Sequence, residues 1–148
     1  MGSDHISASR VIAAEPQELF DLVADPTMHA VFDGSGSVRG VRGSSRKLAL
    51  GDRFTASMRI GLPYLISNKV VEYEEGRRIA WSHAGGWIWR YEFEAVDDGT
   101  LVTETFDWSR SLAKPYIALA GWGPRNQRNM ERTLERLEAF TTNRRSGT

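Results

Sequence analysis

The sequence predicts an α+β domain in which a strongly curved antiparallel sheet of about seven strands wraps around a long C-terminal helix, with two short helices after the first strand. Three observations carry this expectation. From Arg53 to Trp108 apolar and polar residues alternate in segments separated by glycine-bearing turns, the signature of a half-buried meander. From Arg125 to Phe140 the apolar residues Met130, Leu134 and Leu137 fall on one helical stripe. Between Pro16 and Phe32 two prolines each stand where a helix begins. A chain of 148 residues fits one domain with one core. The expected core runs from about residue 5 to 141, with a disordered tail over 142–148.

Each element has its own reason. His5 to Ala14 is rich in β-branched residues and reads as a strand, ended by Glu15-Pro16. Leu19, Phe20 and Val23 keep helical spacing from Pro16 to Ala24, and Asp25-Pro26 stops that helix and caps a second near Thr27 to Phe32. Asp33 to Gly51 is rich in glycine, serine and arginine and reads as a mobile loop around one short strand, Ser37 to Val41. Arg53 to Ile60 places Phe54, Ala56, Met58 and Ile60 on one face. After the turn Gly61-Leu62-Pro63 come Tyr64 to Tyr73, the hairpin Glu74-Glu75-Gly76, and Arg77 to His83. Trp87 to Ala95 alternates most cleanly, with Trp87, Trp89, Tyr91 and Phe93 on one side and Ile88, Arg90, Glu92 and Glu94 on the other. Asp97-Asp98-Gly99 turns the chain into Leu101 to Trp108, where Val102, Phe106 and Trp108 share a face with Glu104. Pro115, Gly121 and Gly123-Pro124 predict a broken start to the last helix.

Composition narrows the function. Lysine plus arginine equals aspartate plus glutamate at 19 each, so no broad basic face is available for nucleic acid. The absence of cysteine removes disulfides, thiolate metal sites and thiol nucleophiles, and suits a reducing, cytoplasmic setting. No apolar run approaches the ~20 residues that span a bilayer, and Met1 to His5 lacks the regions of a signal peptide, so stable membrane insertion is not expected. The three histidines form no cluster, so neither a metal nor another cofactor is expected. Gly34-Ser35-Gly36 follows a helix and lacks the spacing of a nucleotide-binding loop, and the meander offers no strand-to-helix elbow for a serine nucleophile.

The element order is that of the helix-grip fold, and local sequence agrees. Ala24-Asp25-Pro26, Asp33-Gly34-Ser35-Gly36, Gly61-Leu62-Pro63-Tyr64, the run Val70 to Trp81 (VVEYEEGRRIAW) and Asp98 to Phe106 (DGTLVTETF) resemble polyketide cyclase/dehydrase and lipid-transport proteins of the START-like, or SRPBCC, superfamily, especially small bacterial members. The resemblance covers roughly Ser7 to Phe140. It implies a cavity between the concave face of the sheet and the last helix, used in the family for lipids, sterols, hormones, polyketides and other apolar ligands. Some relatives are cyclases or aromatases, others carry or sense ligands, and one branch binds a chaperone.

Candidate site residues follow from the faces. Trp81, Trp87, Trp89, Tyr91, Phe106 and Trp108 should crowd the concave face, joined by Phe54 and Met58. Each could simply fill the core, but several tryptophan N–H groups on one face suit a ligand cavity better than a dry interior. Glu104 needs a partner there; the plainer reading is a pair with an arginine such as Arg90, brought inward by a bulge, or exposure at the cavity mouth, and the sharper one is a polar anchor or a general acid or base. His83 ends its strand as an edge or capped histidine, or as a proton shuttle or ligand donor facing Glu104 across the sheet. His29 reads as structural or as part of the cavity entrance. Trp122, between two glycines, reads as a mobile aromatic lid, and Asn126 and Met130 as the helical wall of the cavity. The expected partner is an apolar small molecule, bound by a monomer or homodimer. Two other readings are a polyketide cyclase, aromatase or dehydratase using Glu104 or His83, and a chaperone-associated interaction module.

Overall fold

A computed structural model describes residues 5–33, 38–41, 47–60, 62–83, 86–109 and 122–146, and the side chains of these except at 30, 38–41, 57–60, 62–64, 122–125 and 144–146. The elements are β1 (His5–Ile12), α1 (Pro16–Val23), a 3-10 turn (Pro26–Met28), α2 (His29–Phe32), β2 (Val38–Val41), β3 (Arg53–Ile60), β4 (Leu62–Glu74), β5 (Arg78–His83), β6 (Ile88–Val96), β7 (Gly99–Asp107) and α3 (Trp122–Ser146). Strands β2 to β7 form the expected meander, and β1 returns to pair with β7, giving the order β1-β7-β6-β5-β4-β3-β2 in one curved, unclosed antiparallel sheet of seven strands.

The helix α1 forms because Pro16 occupies its first turn, where a missing N–H costs nothing, and because Leu19, Phe20, Leu22 and Val23 bury one face. Phe20 meets Tyr73 and Phe93 edge-on, at 5.6 and 5.8 Å between ring centroids, so α1 docks on β6 and the end of β4. Asp25 ends this helix and caps the following turn, its Oδ1 accepting from the Thr27 amide at 3.0 Å and the Thr27 hydroxyl at 2.7 Å. Asp25→Ala is therefore expected to cost about 1 kcal/mol, read as a lower urea midpoint; an unchanged midpoint would show that Pro26 alone sets the turn.

Several boundaries differ from expectation for local reasons. Strand β1 stops at Ile12 because the Ala14 amide turns back to the Ile12 carbonyl at 2.8 Å, while Thr100 donates to the Ala14 carbonyl. The expected mobile loop is anchored at its end, where fully buried Leu48 donates its amide to the Ala24 carbonyl and Lys47 binds Glu75 and Asp21. Strand β4 begins at Leu62 rather than Tyr64, pairing Leu62 with Ile60 and Pro63 with Arg59. Its pairing with β5 shifts between Val70 and Glu72, a bulge that turns Tyr73 onto the core face and Glu72 to the outside. The long helix is unbroken from Trp122 because Pro124 lies in its first turn. Of the expected tail over 142–148, residues 142–146 fall in this helix and 147–148 lie outside the described residues. α3 continues to Ser146, with no proline or further glycine before Gly147, and buried Thr141 donates to the carbonyls of Leu137 and Glu138.

The core lies between the concave face of the sheet and the helices, built from Leu19, Phe20 and Val23 of α1, Ile79, Trp81, Tyr91, Phe93, Val102 and Phe106 of the sheet, and Met130, Leu134 and Leu137 of α3. Burying each such side chain contributes about 1.5–3 kcal/mol.

Candidate functional site

The register sets three rows across the concave face. Phe54, Asn68 and His83 pair in one; Val70, Trp81, Trp89, Phe106 and Ile6 in the next; and Tyr73, Ile79, Tyr91, Glu104 and Ala8 in the third. Phe54, Trp81, Tyr91, Phe106, Trp108 and Met130 are buried members of the core cluster, and Trp87 and Trp89 pack against it while partly exposed. The expected aromatic face therefore exists. Its rings are in contact: Trp89 lies 4.7 Å from Phe106, Phe106 is 5.4 Å from Trp108, and Trp81 is 5.7 Å from Tyr91. Asn126 is partly buried near the start of α3. Met58 is placed in β3 and Trp122 in the first turn of α3; the side chains of both lie outside the described residues.

Glu104 is the chemical centre of this face. It is 4% exposed, and its direct cross-strand neighbour Tyr91 donates a hydrogen bond from its hydroxyl to Oε2 at 2.9 Å. Its Oε1 is buried and has no partner among the described residues. The expected pair with Arg90 is not formed. No bulge interrupts β6, so Arg90 keeps its outward parity and binds Glu72 through Nε at 2.9 Å and Nη2 at 2.6 Å, crossing Ala80, with Asp107 at 3.7 Å. Burial lifts the Glu104 carboxyl to about 8; the Tyr91 bond pulls it down and the nearby Asp33 carboxylate pushes it up. The same burial, with the carboxyl beside it, drives the Tyr91 phenol well above its ordinary value.

His83 stacks on Trp87 at 4.6 Å, and its amide donates to the Trp87 carbonyl at 2.8 Å. Its Nδ1 is buried and has no partner among the described residues, and burial lowers the imidazole to about 4, so it is neutral near pH 7. The register sets His83 opposite Asn68 and gives Glu104 the neighbours Tyr91 and Ala8, so the anticipated His83–Glu104 facing pair is not a cross-strand pair. His29 is the structural histidine: it stacks on Trp81 at 4.8 Å, with Nε2 bonded to the Val23 carbonyl at 2.8 Å, and burial lowers its pKa. Asn68, whose buried Oδ1 also lacks a partner among the described residues, escaped sequence reasoning, because the β4 bulge hides which parity points inward. Among the described residues no group of three or more histidine, aspartate or glutamate side chains could hold a metal, and no helix is long and apolar enough to cross a membrane. A surface recess of about 340 Å³ lies elsewhere, between Ala13–Pro16 and Ala95–Gly99, and includes none of these residues.

The family model described as polyketide cyclase / dehydrase and lipid transport matches residues 3–140. The chain belongs to this family. The uncharacterized protein Rv0088 of Mycobacterium tuberculosis is 38% identical to this chain over 142 residues, which cover 92% of this chain and 63% of that protein. The chain thus spans less than two thirds of that relative's length. Among solved structures, the family member described here superposes on the AHSA1-like protein of Aeromonas hydrophila with a TM-score of 0.67 and 23% identity, over 93% of this chain and 94% of that one. It also superposes on protein NE0264 of Nitrosomonas europaea with a TM-score of 0.75 and 12% identity, over 99% of both chains. These likenesses establish the helix-grip fold.

Proposed function

We propose that this domain binds an apolar small molecule between the concave face of its sheet and α3, with Trp87, Trp89 and Phe106 supplying apolar contact and Glu104 a polar anchor. The observation that carries the reading is the company these aromatics keep. Asn68 Oδ1, His83 Nδ1 and Glu104 Oε1 are three buried polar atoms without described partners, and all belong to residues whose register sets them on this face. Buried polar groups are ordinarily satisfied, and each one left open costs about 1–3 kcal/mol. A dry core has no use for three such groups amid tryptophans. A ligand site does, because apolar walls with a few convergent polar atoms give affinity and orientation together.

Native mass spectrometry of freshly purified protein, followed by denaturation and identification of the released molecule, tests the reading directly. A stoichiometric apolar ligand is expected. Trp89→Ala should then weaken rebinding of that molecule about tenfold or more, since Trp89 is partly exposed and its loss costs the fold less than it costs the contact. Unchanged affinity would remove this face from the site.

A further inference from the structure

The hydrogen-bonding sense of the Glu104 anchor can be derived from what surrounds it. A buried carboxylate survives ionised only where a cation or several donors compensate it; otherwise it keeps its proton. No described cation does so here. Arg90 is held on the opposite face by Glu72 and Asp107, and Arg136 of α3 donates to the backbone carbonyl of Asp33. Ala8 stands opposite on β1, and the buried residues of α3 are Met130, Thr133, Leu134, Leu137 and Thr141, none of them ionisable. The charge that acts on Glu104 is Asp33, which has the same sign as a glutamate carboxylate. Tyr91 is the one described donor to the carboxyl, and it takes Oε2. The proton therefore resides on Oε1, the oxygen left without a partner among the described residues. Tyr91 orients the group, and its free end offers an O–H.

We infer that Glu104 acts as a neutral hydrogen-bond donor that selects, among apolar ligands, those carrying an uncharged oxygen acceptor such as a ketone, aldehyde or ester carbonyl. This rests on the proposed ligand site and adds the chemistry that site reads. A ligand alcohol gains less, because its own O–H finds no acceptor on Oε1–H. A ligand carboxylate adds a second negative charge within reach of Asp33. Since Oε1 itself is buried, the ligand oxygen reaches it by displacing side chains packed over it, so an acceptor must replace the lost contacts with a real hydrogen bond.

Three matched probes test this by equilibrium dialysis: 2-acetylnaphthalene, 2-ethylnaphthalene and 2-naphthoate, each at pH 6 and pH 9.5. Over this interval His83, lowered to about 4, stays neutral and Tyr91, raised well above its ordinary value, stays protonated, whereas Glu104 titrates near 8. At pH 6 the ketone is expected to bind about tenfold more tightly than the hydrocarbon, the worth of one well-placed buried hydrogen bond. At pH 9.5 the preference should vanish. Glu104→Gln, whose amide oxygen can accept from Tyr91 while its NH₂ donates, should keep the ketone preference at both pH values. Glu104→Leu should lose it at both. Equal binding of ketone and hydrocarbon by the unmodified protein at pH 6, or a preference that survives Glu104→Leu, overturns the donor assignment and leaves the ligand site standing. Failure of every probe to bind, in a protein that also emerges ligand-free from native mass spectrometry, overturns both.

Discussion

Glu104→Gln is expected to remove a loss of stability that the unmodified protein suffers as pH rises from about 4.5 to 8. Those limits are the carboxyl's ordinary pKa and its folded-state value. Between them the folded protein holds a proton that the unfolded chain has released, so raising the pH favours unfolding; below 4.5 and above 8 this group contributes no slope. At 1.36 kcal/mol per pKa unit, a shift of this size corresponds to roughly 3–5 kcal/mol. The histidines act in the opposite sense. His83, lowered from 6.5 to about 4, contributes stability that is complete above pH 6.5 and is lost as pH falls toward 4, and His29 shifts in the same direction. Between pH 4.5 and 6.5 the slopes of the histidines and of Glu104 oppose, whereas between 6.5 and 8 that of Glu104 stands alone, and there the unmodified protein should weaken as pH rises. Because the glutamine variant keeps both histidines, the difference between the two proteins isolates Glu104. Urea unfolding at pH 5.5, 7 and 9 reads it, and parallel profiles for the two proteins would show that Glu104 is not held neutral by the fold.

Gly99→Ala is expected to be the most damaging single-methyl addition in the described structure. Gly99 sits at φ +140°, a conformation L-residues rarely adopt, and a Cβ built there lies 2.1 Å from the Ile12 carbonyl oxygen and 2.9 Å from Ala13 Cα. Both obstacles are backbone, so no side chain can rotate away. Strain and overpacking together should cost about 2–5 kcal/mol. Gly51→Ala is the comparison: its φ is +87°, but nothing lies within 4 Å of the added carbon, so only the conformational cost of about 1 kcal/mol applies. Thermal unfolding of the pair distinguishes them; similar melting temperatures would mean that β1 and the β6–β7 hairpin yield easily at this point. The site has a stake in the answer, because this hairpin sets the pairing of Tyr91 with Glu104.

Period-two alternation revealed the strands and assigned Trp81, Trp89, Tyr91, Glu104 and Phe106 to one face, since the side-chain period of a strand leaves no other arrangement. The pairing of Glu104 with Tyr91 was also within reach. Asp97-Asp98 forms a two-residue hairpin loop, and counting back from it along β6 and β7 brings those residues opposite one another. The β4 bulge was not legible, because Val70 and Val71 are equally suited to a strand and neither marks the extra residue. That one shift concealed Asn68 on the inside and Glu72 on the outside, and left Arg90 looking free to serve Glu104. The helical start at Trp122 was masked by Gly123 and Pro124, which discourage a helix interior yet are tolerated in a first turn.

An open sheet exposes the backbone of its two outermost strands, and such strands invite other chains to add on. On β1 that invitation is withdrawn. Gln127 of α3 donates to the Ser7 carbonyl at 2.8 Å, and Arg10 is bridged to Glu138 of the same helix at 2.9 Å. The long helix thus guards an edge as well as completing a core. Growth of the sheet by strand addition is blocked along β1, and at the far margin it would have to begin on β2, a strand of only four residues.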